Sequence, residues 1–409
     1  MQFRKAPDNP DLFEAPPSGS RILLFVPHPD DEIAACYKII KYAINMKLDI
    51  LVVIVTNGDG IGAIDLRNKV FRRAPEYFIR TGNIRREEAI RVLTGIGLSK
   101  ENIIFLGYPD RHILKLWTEN WDENRPLKSR STLADASCYT GTYSLGTPYT
   151  GTNLQKTIEQ IIVGFAPTYV FFPDYNDNHV DHMALSFFVK YTLYKIDYKF
   201  FEYTYLVHKG LWPFPPCKMK RLELHPPRCL RKVPMKWYSI YLSREEIEEK
   251  LQSLLLYKSQ LSNFILRNYL FSFIRKNEIL CKYDKTENVV YLCRDDLYKS
   301  NSMVLNLDLP AFPFRRSQIV RIDVDHDENK NLHLNMDIQK TILANVCIMR
   351  YTFLTGSGNT TYKVENGKLE VIIPQIYLKE TPVIFICCLV YKNRKVIGRA
   401  LPIIIDMRK

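Results

Sequence analysis

Residues 22–32 read Ile22-Leu23-Leu24-Phe25-Val26-Pro27-His28-Pro29-Asp30-Asp31-Glu32, and the two halves of this stretch differ in chemistry. The apolar half has the length and composition of a buried β-strand, and the proline that follows ends it. The polar half carries an imidazole and three carboxylates. Ligands of open α/β sheets bind beyond the carboxyl ends of the strands. The stretch therefore predicts a strand that brings polar side chains to a ligand-binding edge.

Strand and helix patterns alternate over the first part of the chain, up to about residue 265. Alternation of this kind predicts an α/β fold with a doubly wound, mostly parallel sheet between helices. The strands are expected at 22–26, 49–56, 102–106, 168–172, 200–207 and 237–242, and the helices at 33–44, 83–97, 154–165, 180–193 and 243–257.

Three further regions depart from the alternation. Residues 118–152 are rich in Ser, Thr, Tyr and Gly and lack periodicity, so we interpret them as an active-site loop within a domain of residues 1–265. Residues 266–284 are interpreted as a linker. Short β-rich runs with turn residues between them recur over 285–409, which predicts a β-sandwich accessory domain, immunoglobulin-like in strand number.

The chain has 409 residues and a formal net charge of +13, with one basic concentration between Lys218 and Lys236. That stretch is either a solvated loop or a contact for an anionic ligand or membrane surface. Nucleic-acid binding is not expected, because no recognition helix, zinc finger or RNA-binding aromatic signature accompanies the charge. The sequence leaves the oligomeric state open.

Cysteine usage and the N-terminal residues bear on the compartment. The nine cysteines are scattered, with no Cys-x-x-Cys pair, which fits a reducing cytoplasm better than a disulfide framework. Residues 1–20 are polar and proline-rich, so no secretory signal is expected, and no apolar run is long enough for a transmembrane segment. We therefore expect a cytoplasmic protein.

A second polar cluster follows the predicted strand 168–172 and includes His179, Asp181 and His182. Parallel strands would bring it to the same sheet edge as the first cluster. His28 and Asp31, with one histidine of the second cluster, form the two-His, one-carboxylate set of a catalytic zinc site. A non-ligand carboxylate, Asp30, remains to take a proton from metal-activated water.

Each cluster also has a simpler interpretation. Acidic residues at a helix start are common N-caps, and a lone His-x-x-His pair is often only a polar helix start. Phosphoester hydrolysis also uses Asp and His, although it commonly requires more carboxylates or two metals. The metal interpretation depends on both clusters occurring together at strand ends.

At this point residues 20–262 resemble the PIG-L/LmbE-like zinc N-acetylglucosaminyl deacetylases. The stretches at 27–32 and 178–182 look like the two signatures of that family. Supporting similarities are Thr56-Asn57-Gly58, Arg85-Arg86-Glu87-Glu88-Ala89, Gly107-Tyr108-Pro109-Asp110 and Tyr257-Lys258-Ser259-Gln260. The resemblance implies a Rossmann-like α/β/α fold and removal of an acetyl group from an N-acetyl-amino sugar or a conjugate of it.

The resemblance also implies a role for each matching residue. His28, Asp31 and His182 would hold Zn²⁺, and Fe²⁺ accepts the same ligands. Asp30 would be the general base and His179 would stabilise or protonate the tetrahedral intermediate. Arg85 and Asp110 would contact the substrate, and Asp181 would orient a ligand histidine from the second shell.

The sequence departs from the family in two places. Some members carry a tyrosine where this chain has Asp177, and the minimal family has no counterpart of the β-rich C-terminal third. His208, after a predicted strand, either reaches the site or is a structural histidine. The alternative functions are a catalytically inactive carbohydrate-binding protein and a hydrolase of another amide or ester.

Overall fold

The computed structural model describes residues 10–60, 74–196, 199–230 and 235–283 and, beyond residue 283, the backbone of a series of strands. The chain divides into two compact units. One consists of Pro7–Pro227 and Met235–Lys282, and the other of Met1–Ala6, Arg228–Pro234 and Tyr283–Lys409.

The first unit is built on an eight-stranded sheet with the order β1-β7-β8-β6-β5-β2-β3-β4. All the strand pairs with a described register are parallel except β6 with β8, so the predicted mostly parallel sheet is confirmed. The strands are β1 (Asp11–Leu12), β2 (Arg21–Val26), β3 (Asp49–Thr56), β4 (Ile103–Tyr108), β5 (Tyr169–Pro173), β6 (Phe201–Tyr205), β7 (Met235–Tyr241) and β8 (Asn277–Tyr283).

Strand β2 lies in the interior of the sheet and decides where a ligand can bind. It pairs with β3 on one side and with β5 on the other, so the chain winds outward from it in both directions. Residues 22–26 are fully buried, as expected for a strand covered on both faces. The point where the winding reverses opens a crevice beyond the carboxyl ends of β2 and β5.

Helices cover the sheet and hold the polar loops in place. Helix α6 begins with the predicted capping box, in which Ser243 and Glu246 exchange hydrogen bonds with each other's backbone amides. The helices are α1 (Asp31–Asn45), α2 (Pro75–Gly95), α3 (Ile113–Thr118), α4 (Gly151–Phe165), α5 (Val180–Lys195), α6 (Arg244–Leu255), α7 (Lys258–Leu261) and α8 (Phe264–Phe271), with short 3₁₀ turns at Lys100–Asn102 and Arg228–Leu230.

Irregular chain between α3 and α4 packs over the ends of β3 and β4. The Tyr139 hydroxyl donates to Asp59 Oδ2 at 2.6 Å, and the Tyr149 hydroxyl donates to the Gly107 carbonyl at 3.0 Å. These bonds fix the loop next to the carboxyl edge of the sheet. That it acts as an active-site loop stays a prediction.

Residues 266–284 do not form the linker that the sequence suggests. The segment contains most of α8 and all of β8, and β8 enters the sheet between β7 and β6. The strand was not predicted because Asn277 and Glu278 are polar, whereas buried strands are commonly apolar. Both side chains are buried, and partners distant in sequence satisfy their hydrogen bonds. Asn277 bonds to Leu224 and Ser239, and Glu278 pairs with Lys250 Nζ at 2.6 Å.

In the second unit the structure describes the strands. β10 to β12 and β15 form a four-stranded sheet, and β14, β13, β16, β18 and β9 are paired in a second sheet, where β17 pairs with β16. The strands are β9 (Val289–Tyr291), β10 (Met303–Asn306), β11 (Gln318–His326), β12 (Leu332–Gln339), β13 (Val346–Phe353), β14 (Gly356–Lys363), β15 (Lys368–Ile373), β16 (Val383–Lys392), β17 (Lys395–Arg399) and β18 (Ile403–Asp406). The β-sandwich stays a prediction.

Two further observations concern the chain chemistry. Within the described residues, no helix combines the length and apolarity needed to cross a bilayer. The cysteines whose side chains are described, Cys36, Cys138, Cys217, Cys229 and Cys281, are unpaired.

Candidate metal centre

Two helix starts meet beyond the ends of β2 and β5. Helix α1 begins at Asp31, immediately after the loop that carries His28, and His182 lies in the first turn of α5. Because β2 and β5 are neighbouring parallel strands, both loops leave the sheet at the same edge. The sequence clusters at 27–32 and 178–182 therefore face each other across the crevice.

Three of the predicted side chains bring their ligand atoms together. Asp31 Oδ2 lies 3.2 Å from His28 Nδ1 and 3.1 Å from His182 Nε2, and the two histidine nitrogens are 3.3 Å apart. All three residues are buried. Ligand atoms about 2.0–2.1 Å from a shared tetrahedral ion lie about 3.3 Å apart, so the triangle fits a single metal ion.

The neighbouring side chains offer further ligand atoms. Among the described residues, metal-compatible groups also form from His28, His179 and His182, from Asp31, His182 and His208, and from His28, Asp110 and Asp181. Each of these groups shares a residue with the triangle, so all of them belong to a single site.

Buried carboxylates surround the triangle. Burial of several carboxylates is costly unless cations or hydrogen bonds compensate them, and a divalent cation provides both charge and coordination. The group therefore has the donor chemistry of a cation site. Its members are Asp30, Asp31, Glu32, Asp110, Asp177 and Asp181, all of them buried.

Asp177 holds His182 in place, a role that the sequence did not suggest. Asp177 Oδ2 lies 3.2 Å from His182 Nδ1 and accepts the backbone N–H groups of Val207 and His208, each at 2.9 Å. Oδ1 accepts the N–H of His179 at 2.8 Å. Burial alone would raise the pKa of Asp177, but His182 and these donors lower it below its usual value. The carboxylate is thus fixed, and its position turns His182 Nε2 toward Asp31.

Asp110 and Asp181 stand on the opposite side of His28. His28 Nε2 lies 3.2 Å from Asp110 Oδ1 and 3.4 Å from Asp181 Oδ2. Asp110 also accepts the Gly60 N–H at 2.8 Å, and Asp181 accepts that of Ile113 at 3.0 Å. Burial lowers the pKa of His28, yet these acids raise it well above its usual value. Both acids are placed to orient His28, and the substrate contact of Asp110 stays a prediction.

Asp30 lies beside the triangle and outside it. Its backbone has φ of +105°, in the left-handed region that is costly for a residue with a side chain, and its N–H donates to Glu32 Oε2 at 2.9 Å. Asp30 Oδ2 lies 3.1 Å from Arg85 Nη2. Burial raises the pKa of Asp30 to about 7, against the opposing effect of Arg85.

Arg85 lies on α2 and is buried. Its guanidinium donates to the carbonyls of Gly58 and Pro29, each at 2.7 Å, in addition to Asp30. Gly58 has φ of +65°, and a Cβ there would lie 2.0 Å from Arg85 Nη1, so only glycine fits. In the described structure Arg85 holds the Asp30 loop, and its substrate contact stays a prediction.

His179 and His208 complete the wall of the crevice. The His179 ring packs edge-to-face on His28 with 4.6 Å between centroids, and the His208 ring lies 4.8 Å from that of His182. Burial is the main reason that the pKa of His179 lies well below its usual value and that of His208 is about 4. The structure therefore brings His208 into the site, which the sequence left open.

Tyr257, between α6 and α7, supports the Asp30 loop and was only a supporting match in the sequence. Its hydroxyl donates to Glu32 Oε1, while the other oxygen of Glu32 accepts the N–H of Asp30. Glu32 is fully buried. The chain of contacts Tyr257–Glu32–Asp30 therefore ties the C-terminal end of α6 to the strained residue beside the triangle.

Replacing Tyr257 with phenylalanine is expected to lower the free energy of unfolding by about 1–3 kcal/mol, because a buried oxygen of Glu32 loses its donor. Urea unfolding followed by circular dichroism measures this change. The control Tyr143→Phe alters a half-exposed tyrosine and should change the free energy by less than about 0.5 kcal/mol. Equal values for the two variants would contradict the role of the Tyr257 hydroxyl.

Comparison with known proteins agrees with this geometry. Residues 23–193 match the family model described as "PIG-L: GlcNAc-PI de-N-acetylase". This part of the chain resembles the PIG-L family. The resemblance seen at 27–32 and 178–182 is thereby confirmed, and the PIG-L segment includes every residue of the triangle. Tyr257 and His208 lie beyond the matched residues.

Several solved structures resemble the chain at low identity. One is the zinc-inhibited form of the teicoplanin deacetylase Orf2, with 16% identity and a TM-score of 0.40 over 65% of this chain and 100% of that one. Another is the N,N'-diacetylchitobiose deacetylase of Pyrococcus horikoshii, with 16% identity and a TM-score of 0.38 over 61% of this chain and 74% of that one. A third is the conserved protein TT1542 of Thermus thermophilus, with 18% identity and a TM-score of 0.35 over 59% of this chain and 80% of that one. No curated protein sequence matches the chain. Nothing about activity follows from similarities at this level.

Proposed function

We propose that the chain is a metal-dependent hydrolase that removes the acetyl group from the nitrogen of an N-acetyl-amino sugar or of its conjugate. The PIG-L family is described by a reaction of this kind, de-N-acetylation of a GlcNAc conjugate. The observation that carries the proposal is the triangle of ligand atoms from His28, Asp31 and His182, with the non-ligand carboxylate of Asp30 beside it.

His28, Asp31 and His182 are the proposed metal ligands. Two imidazole nitrogens and one carboxylate oxygen form the donor set of catalytic zinc, and iron accepts the same set. When bound, such a metal supplies Lewis acidity, which lowers the pKa of a coordinated water toward ~7 and polarises a carbonyl oxygen. Asp177, Asp110 and Asp181 keep the two ligand histidines oriented.

Asp30 is the proposed general base. Its carboxylate takes a proton from the attacking water and is held in position by Arg85 and by the hydrogen bond from its own N–H to Glu32. Both contacts are buried, so the carboxylate keeps one orientation. Arg85 thereby positions the base, and we propose that it also approaches the substrate from the same side.

His179 is the proposed oxyanion-stabilising residue at the opposite wall. Its Nδ1 accepts the N–H of Asp181 at 3.3 Å, which leaves Nε2 for the reacting amide. The proton on Nε2 donates a hydrogen bond to the developing oxyanion, and the proton that Asp30 takes from the water passes to the amine as the C–N bond breaks. Acetate and a free amino sugar are the products.

Two other functions remain as outcomes of the test. Hydrolysis of a different amide or of an ester would use the same groups, and a catalytically inactive carbohydrate-binding protein would retain the fold alone. The geometry favours an active enzyme, because the ligand triangle, the base and the groups that orient them are all present. A cytoplasmic location also remains a prediction.

Acetate release tests the proposal. The purified full chain, stripped of metal and reloaded with zinc or with iron, is incubated with a panel of N-acetyl-amino sugars and their conjugates, and acetate and free amine are measured together. We expect equimolar acetate and amine from at least one compound, loss of both with a chelator, and recovery on adding metal. Protein that binds metal but releases neither product from any compound would overturn the proposed reaction.

A further inference from the structure

An exposed apolar surface lies next to the metal centre in the first unit. Leu211 is 82% exposed, Phe214 76%, Phe264 65% and Ile265 76%. The first two lie on the loop that follows β6, and the other two begin α8. Exposed apolar side chains grouped in this way mark interaction surfaces more often than singly scattered ones do.

The loop contacts α8 at Tyr269, whose hydroxyl donates to the Val207 carbonyl, and it also contacts the residues that follow α8. The rings of Trp212 and Phe273 are 5.6 Å apart, and Arg275 Nη2 donates to the Pro215 carbonyl at 2.7 Å. The Lys276 N–H donates to the Leu222 carbonyl at 3.0 Å. The exposed apolar residues therefore project from one continuous piece of the fold.

This surface continues into the crevice. Ile265 precedes Tyr269 by one helical turn and shares its helix face. The ring of Tyr269 stacks on His208 at 5.3 Å, and the ring of His208 lies 4.8 Å from that of His182. Two side chains thus connect the exposed surface to a proposed metal ligand.

The positive charge of the two segments favours an anionic partner. Residues 203–222 and 250–276 contain no aspartate or glutamate, although Glu223 directly follows the first segment and Glu248 of α6 pairs with Lys220. Cations accompany the apolar residues: Lys218, Arg221 and Lys258 are exposed, and the Arg267 guanidinium lies over the Phe264 ring at 5.2 Å. Apolar side chains flanked by cations suit the interface of an anionic bilayer.

We propose that these residues, the apolar–basic surface, dock the protein on an anionic lipid surface. Leu211, Phe214, Phe264 and Ile265 enter the boundary between headgroups and acyl chains, and the four cations face the lipid phosphates. Docking in this orientation turns the side of the unit that carries Tyr269 and His208 toward the membrane.

Vesicle sedimentation tests the docking without any assay of activity. The full chain is centrifuged with vesicles of phosphatidylcholine alone or of phosphatidylcholine mixed with phosphatidylserine, at low and at raised salt. We expect binding to the mixed vesicles, weaker binding at raised salt, and little binding to phosphatidylcholine. Absence of binding to the mixed vesicles at low salt would overturn the proposal.

Two variants test whether vesicle binding depends on this surface or on exposed apolar side chains in general. The double variant Phe214→Ser and Ile265→Ser is expected to reduce partitioning about 100-fold, since each buried apolar side chain contributes roughly tenfold. Val163→Ser removes an apolar side chain that is 64% exposed on α4, away from both segments, and should change partitioning little. Equal binding by the double variant and the wild type would overturn the assignment, provided that their thermal unfolding profiles agree.

The other occupants of the surface are distinguished in the same samples. Sedimentation velocity without lipid shows whether a second copy of the chain covers it; a dimer that the double variant abolishes, without vesicle binding, would overturn the proposal. Acetate release from a water-soluble substrate should be the same for the double variant and the wild type. Failure of the proposed function would leave the vesicle result unaffected, so the two proposals can fail separately.

Discussion

Asp30→Asn is expected to lower kcat for acetate release by about 10²–10⁴-fold while the bound metal content stays at the wild-type level. The amide cannot accept the proton of the attacking water, and loss of a general base costs a factor of this size. Metal content should persist because Asp30 contributes no atom to the ligand triangle; its carboxylate contacts Arg85. Asparagine preserves the size of the side chain, so the crevice keeps its shape.

The measurement pairs steady-state kinetics with elemental analysis of the same protein sample. Asp135→Asn is the matched control, because Asp135 is exposed and lies on the loop between α3 and α4. It should leave kcat and metal content unchanged. Wild-type turnover by metal-loaded Asp30→Asn protein would exclude Asp30 as the base, whereas loss of metal in that variant would place Asp30 among the ligands.

His28→Ala is expected to lower the affinity for zinc by more than about 100-fold and to abolish turnover at low metal concentration. Loss of a group that only supports a ligand already costs about 10–100-fold, and His28 supplies one corner of the triangle itself. The removal also leaves Asp110 and Asp181 without the imidazole that they share. Competition with a chromogenic chelator measures the affinity.

Two further histidine variants make this test specific. His225→Ala removes an exposed imidazole and should leave zinc affinity unchanged. His208→Ala distinguishes the triangle from the neighbouring group of Asp31, His182 and His208. Retention of zinc by His208→Ala protein supports the triangle, and loss equal to that of His28→Ala protein would assign the ion to the neighbouring group.

Local patterns predicted the elements that build the sheet edge. Strand β3 has its predicted bounds, Asp49–Thr56. A strand that is buried on both faces has a continuous apolar sequence, and such a run is easy to recognise. Helix α5 begins at Val180, as its pattern indicates. Helix α2 begins at Pro75, earlier than the predicted residue 83, because proline at the first helical position is itself a start signal.

The remaining parts of the site were hidden because they depend on contacts between distant residues. Asp177 looked like a departure from the family, yet it is the carboxylate that faces His182. Tyr257 reaches Glu32 across 225 positions of sequence. No local periodicity marks such contacts, since they arise only when α6 and the loop at Asp177 pack around the crevice.

The sequence by itself determined the parallel sheet and which polar side chains leave the ends of β2 and β5, because strand length, apolar runs and helix starts are local properties of the chain. Only the tertiary structure decided which of those side chains meet. It brought His28, Asp31 and His182 within 3.3 Å of one another, placed Arg85 on Asp30, and stacked Tyr269 on His208. The reason is physical: distances across a crevice depend on the pairing of β2 with β5 and on the packing of helices that are far apart in the chain.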